Sequence, residues 1–164
     1  MNAAEEFWQF SLTFYGRPEV ARQCLELQDK WNAKVNLLLW LAWLEQRGQL
    51  VDNELLTHAE NSVDEWNRTI IQPLRQVRRQ LRAQFLAVPA TSLRVADSAE
   101  LMTTIYQALK TTELHTEQVE QEMLASLVAD LSPSPALPAG TNLRGYFADL
   151  QLPDDLQQAF IRLL

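Results

Sequence analysis

The sequence predicts an all-α fold: a single-domain bundle of six or seven helices around a central apolar helix, with a Pro-rich linker to a short C-terminal helix. Three observations carry this. Nearly all apolar repeats fall at steps of three and four, and none alternates as a strand would. The segment VNLLLWLAWL, residues 35–44, is apolar without interruption from Leu37 to Leu44. A helix with no polar face must be enclosed by other elements, and this one is about half the ~20 residues that cross a bilayer. Finally, 164 residues with 47% hydrophobic content are enough for one buried core.

The elements follow in order. A first helix spans Ala3 to Phe14, with Phe7, Phe10 and Phe14 on one stripe, and Gly16 ends it. Pro18 opens the second helix at a position where its missing N–H has no helical partner. The third is the apolar helix, closed at Gly48 with Arg47 in its last turn. Asp52 or Asn53 caps a long fourth helix. Its core row reads Val63, Trp66, Ile70, Leu74, Val77, Leu81 and Phe85, with a kink expected at Pro73 and an end at Pro89. Asp97 and Glu100 have capping-box spacing for a fifth helix carrying Leu101, Ile105 and Leu109. The apolar period slips across Lys110 to Thr116, so a separate sixth helix is expected, with Val119, Met123, Leu127 and Leu131. SPSPALPAG, residues 132–140, reads as a linker. A tail helix follows from Pro153. The expected organisation is a bundle over 1–131, the linker over 132–140, and a tail over 141–164 that docks on the bundle or on a partner.

Charge is unevenly placed. Residues 1–66 hold five bases and eleven acids, residues 67–94 hold six arginines and no acid, and residues 95–164 hold three bases and ten acids. The net charge of −7 argues against general affinity for nucleic acid or an anionic membrane, while leaving room for a local anion site. The N-terminus has acids where a signal peptide needs bases. Cys24 is the only cysteine, so no internal disulfide forms, and a cytoplasmic location is the expectation. Cys24 lies on an apolar row with Val20, Leu27 and Trp31 and reads as a buried structural thiol.

Four segments together, FWQFSLTFY (7–15), CLELQD (24–29), VNLLLWLAWL (35–44) and WNRTIIQPLRQVRRQLR (66–82), resemble an uncharacterised family of short all-helical proteins from Gram-negative bacteria. The resemblance covers the N-terminal half. That family has no established activity, so it implies kinship and fold rather than mechanism.

Two sets of residues stand out as candidate sites. With the fourth helix centred on Ile70, Arg68, Arg75, Arg79 and Arg82 fall on the opposite face and Arg78 on its flank. Guanidinium groups in a row can hold phosphates or carboxylates bidentately. The acidic row Glu113, Glu117 and Glu120 offers the same arginines an internal partner, which is the preferred reading. Gln28, Asp29 and Asn36 flank the enclosed helix, and buried amides must be hydrogen-bonded. They read as a polar clasp, with a ligand site as the sharper alternative. No histidine pair, carboxylate-histidine set or glycine-rich loop nominates a metal, a cofactor or a catalytic centre. The leading expectation is therefore a non-catalytic cytoplasmic interaction protein, an adaptor or regulator, with its early aromatics as material for a hot spot. Its expected partner is a protein, not a membrane or nucleic acid, and a homo-oligomer stays open. The alternatives are anion or nucleic-acid binding through the arginine face, or a small-molecule enzyme or pocket within the bundle.

Overall fold

The computed structural model describes residues 2–86, 99–128, 135 and 137–164. Among these there are seven helices and no strand: α1 (Ala3–Tyr15), α2 (Pro18–Trp31), α3 (Val35–Gln46), α4 (53–86), α5 (Ala99–Ser126), α6 (Leu143–Asp149) and α7 (Asp154–Ile161). Pro89, Asp97, Leu131 and residues 132–134 and 136 of the expected linker lie outside the described residues. The chain forms two units, one of Met1–Val63 with Gln121–Leu164 and one of Asp64–Glu120.

In the first unit α3 is the centre. Every residue from Asn36 to Glu45 is buried, as enclosure of an all-apolar helix requires. Asn2 and Glu5 form a capping box that starts α1, whose Phe7 stacks on Trp43 with ring centroids 5.1 Å apart. Pro18 stands in the first turn of α2, and Asn32 ends that helix in the left-handed conformation at φ 55°. The tail carries two short helices where the sequence reading placed one. Leu143, Tyr146 and Phe147 of α6 and Phe160 and Ile161 of α7 belong to the same core, with Phe160 edge-on to both Phe147 and Phe14. Gly140 precedes α6 at φ 86°, and an added Cβ there would run into the side chain of Ile161.

The second unit is a pair of helical segments, and two expectations fail in it. First, α4 is not a uniform α-helix. It runs as Asn53–Trp66, a π turn Asn67–Ile71, an α segment Gln72–Leu81 and a second π segment Arg82–Leu86. The Gln72 N–H donates to the Asn67 carbonyl, five residues back. The wide turn sits immediately before Pro73, whose ring would otherwise meet the carbonyl four residues earlier. A π turn holds one extra residue, so every later position is rotated by about one residue, ~100°. The buried residue is therefore Ile71 rather than Ile70, and Val77 and Phe85 of the expected core row are exposed. Second, the expected break at Lys110 to Thr116 is absent. A single helix of 28 residues runs through it.

Candidate functional site

The polar residues that blurred the period of α5 face α4. Arg75 donates from Nε to Glu113 Oε1 at 3.1 Å and from Nη2 to Glu117 Oε1 at 2.8 Å. Arg78 closes a fork on Glu113, from Nε to Oε2 and from Nη2 to Oε1 at 3.2 Å. Trp66 Nε1 donates to the Thr116 carbonyl at 2.9 Å, and Asn67 Nδ2 donates to Glu120 Oε1 at 2.9 Å. Partners on α5 fall in number as those on α4 rise, so the two segments run antiparallel. The shift of phase at the π turn is what turns Arg75 and Arg78 inward.

The electrostatics follow the geometry. Burial pushes the Glu113 carboxyl upward, but the bonds from Arg78 and Arg75 together overrule it and hold Glu113 below the ordinary carboxylate range. For Glu117 burial, aided by the like charges of Glu113 and Glu120, wins over the pull of Arg75, and its value is raised. The bond from Glu113 holds Arg78 above its ordinary value. Arg75, Arg78 and Glu113 are mostly enclosed, with side-chain exposures of 12%, 20% and 10%. Removing one member of such a set strands its partners, which typically costs about 3–5 kcal/mol.

Arg68, Arg79 and Arg82 are exposed. With Arg78 on α4 and Glu113 on α5 taken as the facing directions, Arg79 and Arg82 lie on one flank of the pair together with Lys110. The other flank carries Val77 and Leu81 from α4 and Leu101, Ile105, Thr112 and Val119 from α5, because equal rotations in antiparallel helices point to the same side. Leu101 is 64% exposed, Ile105 52%, Val77 50% and Val119 39%. None of these six side chains is charged. Sequence reasoning missed it because Val77 was assigned to the core, and the expected helix break hid the row on α5.

In the first unit Asn36 is buried and its Oδ1 accepts from Gln121 Nε2 at 2.8 Å. Gln28 is half-buried and Asp29 exposed on α2. A polar clasp at Glu45 escaped the sequence reading. The buried Glu45 carboxylate accepts from the backbone N–H groups of Gly140 and of Asn142, the latter at 2.8 Å, and its carbonyl accepts from Leu137 N–H at 3.3 Å. Asn142 in turn donates to the Gln49 carbonyl at 2.9 Å and accepts from Val51 N–H at 2.9 Å. Burial raises the Glu45 carboxyl above its ordinary value despite the two backbone donors. The visible signal was one acid directly after eight apolar residues. Its partners lie nearly a hundred residues away, so no local pattern could name them.

Cys24 is buried and its thiol is pushed up to about 12 by burial, the state of an inert structural cysteine. Among the described residues no group of three His, Cys, Asp or Glu could hold a metal ion, and no helix is long and apolar enough to cross a membrane. The aromatics of the first 45 residues are largely spent in the core: Phe7, Phe14, Trp40 and Trp43 are all buried.

No curated protein and no solved structure matches the chain. Residues 6–124 match the family described as "Protein of unknown function (DUF2390)". That span covers α1 through nearly all of α5 and well over half of the sequence, so the chain belongs to this family.

Proposed function

We propose that the protein is a non-catalytic cytoplasmic interaction protein that binds another polypeptide through the uncharged flank of its 64–120 unit. The observation that carries this reading is the row Leu101, Ile105 and Val77, each at least half exposed. Aliphatic side chains gathered on one face in water are characteristic of a docking surface. Two neighbouring facts support it. Phe7, Phe14, Trp40 and Trp43, four of the early aromatics that would have formed a hot spot, are buried, and Arg75 and Arg78 are engaged by Glu113 and Glu117 rather than offered to an external anion. A reduced, buried Cys24 suits the cytoplasm.

A second reading draws on the opposite flank, where the helix register puts exposed Arg79 and Arg82 on the same side as Lys110. An acidic peptide or a phosphate group would bind there. Photo-crosslinking in the source cell separates the two. A photoreactive amino acid at position 105 should give a defined protein adduct that disappears with Leu101→Lys, while one at position 79 should not. Adducts from position 79 alone would favour the anion reading and overturn the first.

A further inference from the structure

Resting on the interaction reading above, we propose that the polypeptide covering this flank is a second copy of the chain, with the two α5 helices paired in parallel across a two-fold axis. The spacing on α5 carries the inference. Leu101, Ile105, Ala108, Thr112, His115 and Val119 follow one another at steps of 4, 3, 4, 3 and 4 and are all exposed. This is a heptad seam on the solvent side of a helix. Read as heptad positions, Ile105, Thr112 and Val119 occupy a, and Leu101, Ala108 and His115 occupy d. Ile105 and Val119 at a and Leu101 at d are the residue types that favour two parallel strands, with Thr112, Ala108 and His115 between them. The seam spans about 27 Å at 1.5 Å per residue.

Charge selects the occupant. A two-fold axis sets a patch against its own copy, so any charged residue on the seam would meet its like. From Leu101 to Val119 there is none at a or d, the next d position being Glu122, and the flanking g positions Thr104, Thr111 and Gln118 are also uncharged. The adjoining α4 side chains Val77, Leu81 and Gln84 continue the pattern. A strongly charged partner would find no counter-ion on this flank and would be drawn to Arg79, Arg82 and Lys110 instead. Away from the flank, a net charge of −7 opposes the approach of a second copy.

Sedimentation equilibrium of the full chain tests this directly. The mass should rise from 18.8 kDa toward twice that value as concentration increases. Ile105→Lys should weaken self-association at least about tenfold, whereas Leu12→Lys, at an equally exposed leucine of the other unit, should leave it unchanged. Because both sites are exposed, each variant should keep wild-type helix content. Identical a residues face each other across the axis of a parallel pair, so Thr112→Cys should oxidise to a covalent dimer. Cys24 is buried and does not compete, and Leu114→Cys on the opposite flank should stay uncoupled. A single mass at all concentrations, a dimer indifferent to Ile105→Lys, or equal coupling of the Thr112→Cys and Leu114→Cys chains would overturn the proposal. If the chain keeps one mass while position 105 still crosslinks to a different protein in the cell, only the second-copy inference falls. If neither association nor adduct is found, the interaction reading falls with it.

Discussion

Replacing Glu45 with Ala should release the 137–142 segment from α3 without disturbing the apolar centre. The wild-type carboxylate satisfies the N–H groups of Gly140 and Asn142, both of which are buried. Deleting it orphans two buried donors at about 1–3 kcal/mol each. Part of that loss is returned, because the chain no longer has to bury a charge. The expected net cost is about 2–4 kcal/mol. Urea denaturation measures the total, and amide hydrogen exchange should show Gly140 and Asn142 losing protection while Leu38 to Leu44 keep theirs. The pH dependence gives a second handle. Burial raises the Glu45 carboxyl above its ordinary 4.5 in the folded chain, so the folded state holds that proton more tightly than the unfolded one. The Glu45 contribution is then full below about 4.5 and declines as pH rises through the raised value. The gap between wild type and Glu45→Ala should therefore widen on mild acidification. A variant within about 0.5 kcal/mol of wild type, with Gly140 and Asn142 still protected, would refute the clasp.

The remaining predictions concern the second unit and the core. Arg78→Glu should cost about 3–5 kcal/mol by stranding like charges beside Glu113, and Glu113→Arg in the same chain should recover much of it, as read by thermal denaturation. Arg82→Glu, at an exposed site, should stay within about 0.5 kcal/mol. The depressed Glu113 carboxyl stabilises the folded state above about 4.5, and that share is lost as pH falls through its lowered value. Acid titration of wild type against Glu113→Gln should show this as an acid-side loss that the variant lacks. Leu41→Ala should cost about 2–5 kcal/mol, since Leu41 is fully buried in the centre of the core. Ser11→Ala should be neutral or stabilising by up to about 1 kcal/mol, because the buried Ser11 hydroxyl has no hydrogen-bond partner; equilibrium denaturation would expose a contrary loss.

The first unit was largely legible in the sequence. Gly16 after α1, Pro18 in the first turn of α2 and the unbroken run Leu37 to Leu44 before Gly48 are local signals, and they placed the ends of α1 and α3 and the start of α2 within a residue or two. The second unit was harder to read for physical reasons. Apolar periodicity tracks a helix only where its inner face is apolar, and around Glu113, Thr116 and Glu117 that face is polar, bonded to Arg75, Arg78 and Trp66. The helix continues while its signal disappears. The π turn at Asn67–Ile71 then moves the register of α4 by one residue, which a fixed step of 100° cannot anticipate. The same shift decides which arginines turn inward and leaves Val77 in water. The interaction flank was hidden by these two effects acting together. The sequence reading favoured internal pairing of the arginines with Glu113, Glu117 and Glu120. Arg75 and Arg78 take up the first two of these, and Glu120 accepts from Asn67.

The most direct measurement of the central claim is hydroxyl-radical footprinting of the chain inside its source cell, compared with dilute purified protein. If the uncharged flank is the working surface, oxidation of Val77, Leu101 and Ile105 should fall in the cell, while the comparably exposed Leu12, Leu25 and Leu50 of the other unit react as they do in isolation. Equal reactivity of the flank in both settings, with Leu12, Leu25 or Leu50 protected in its place, would contradict the account.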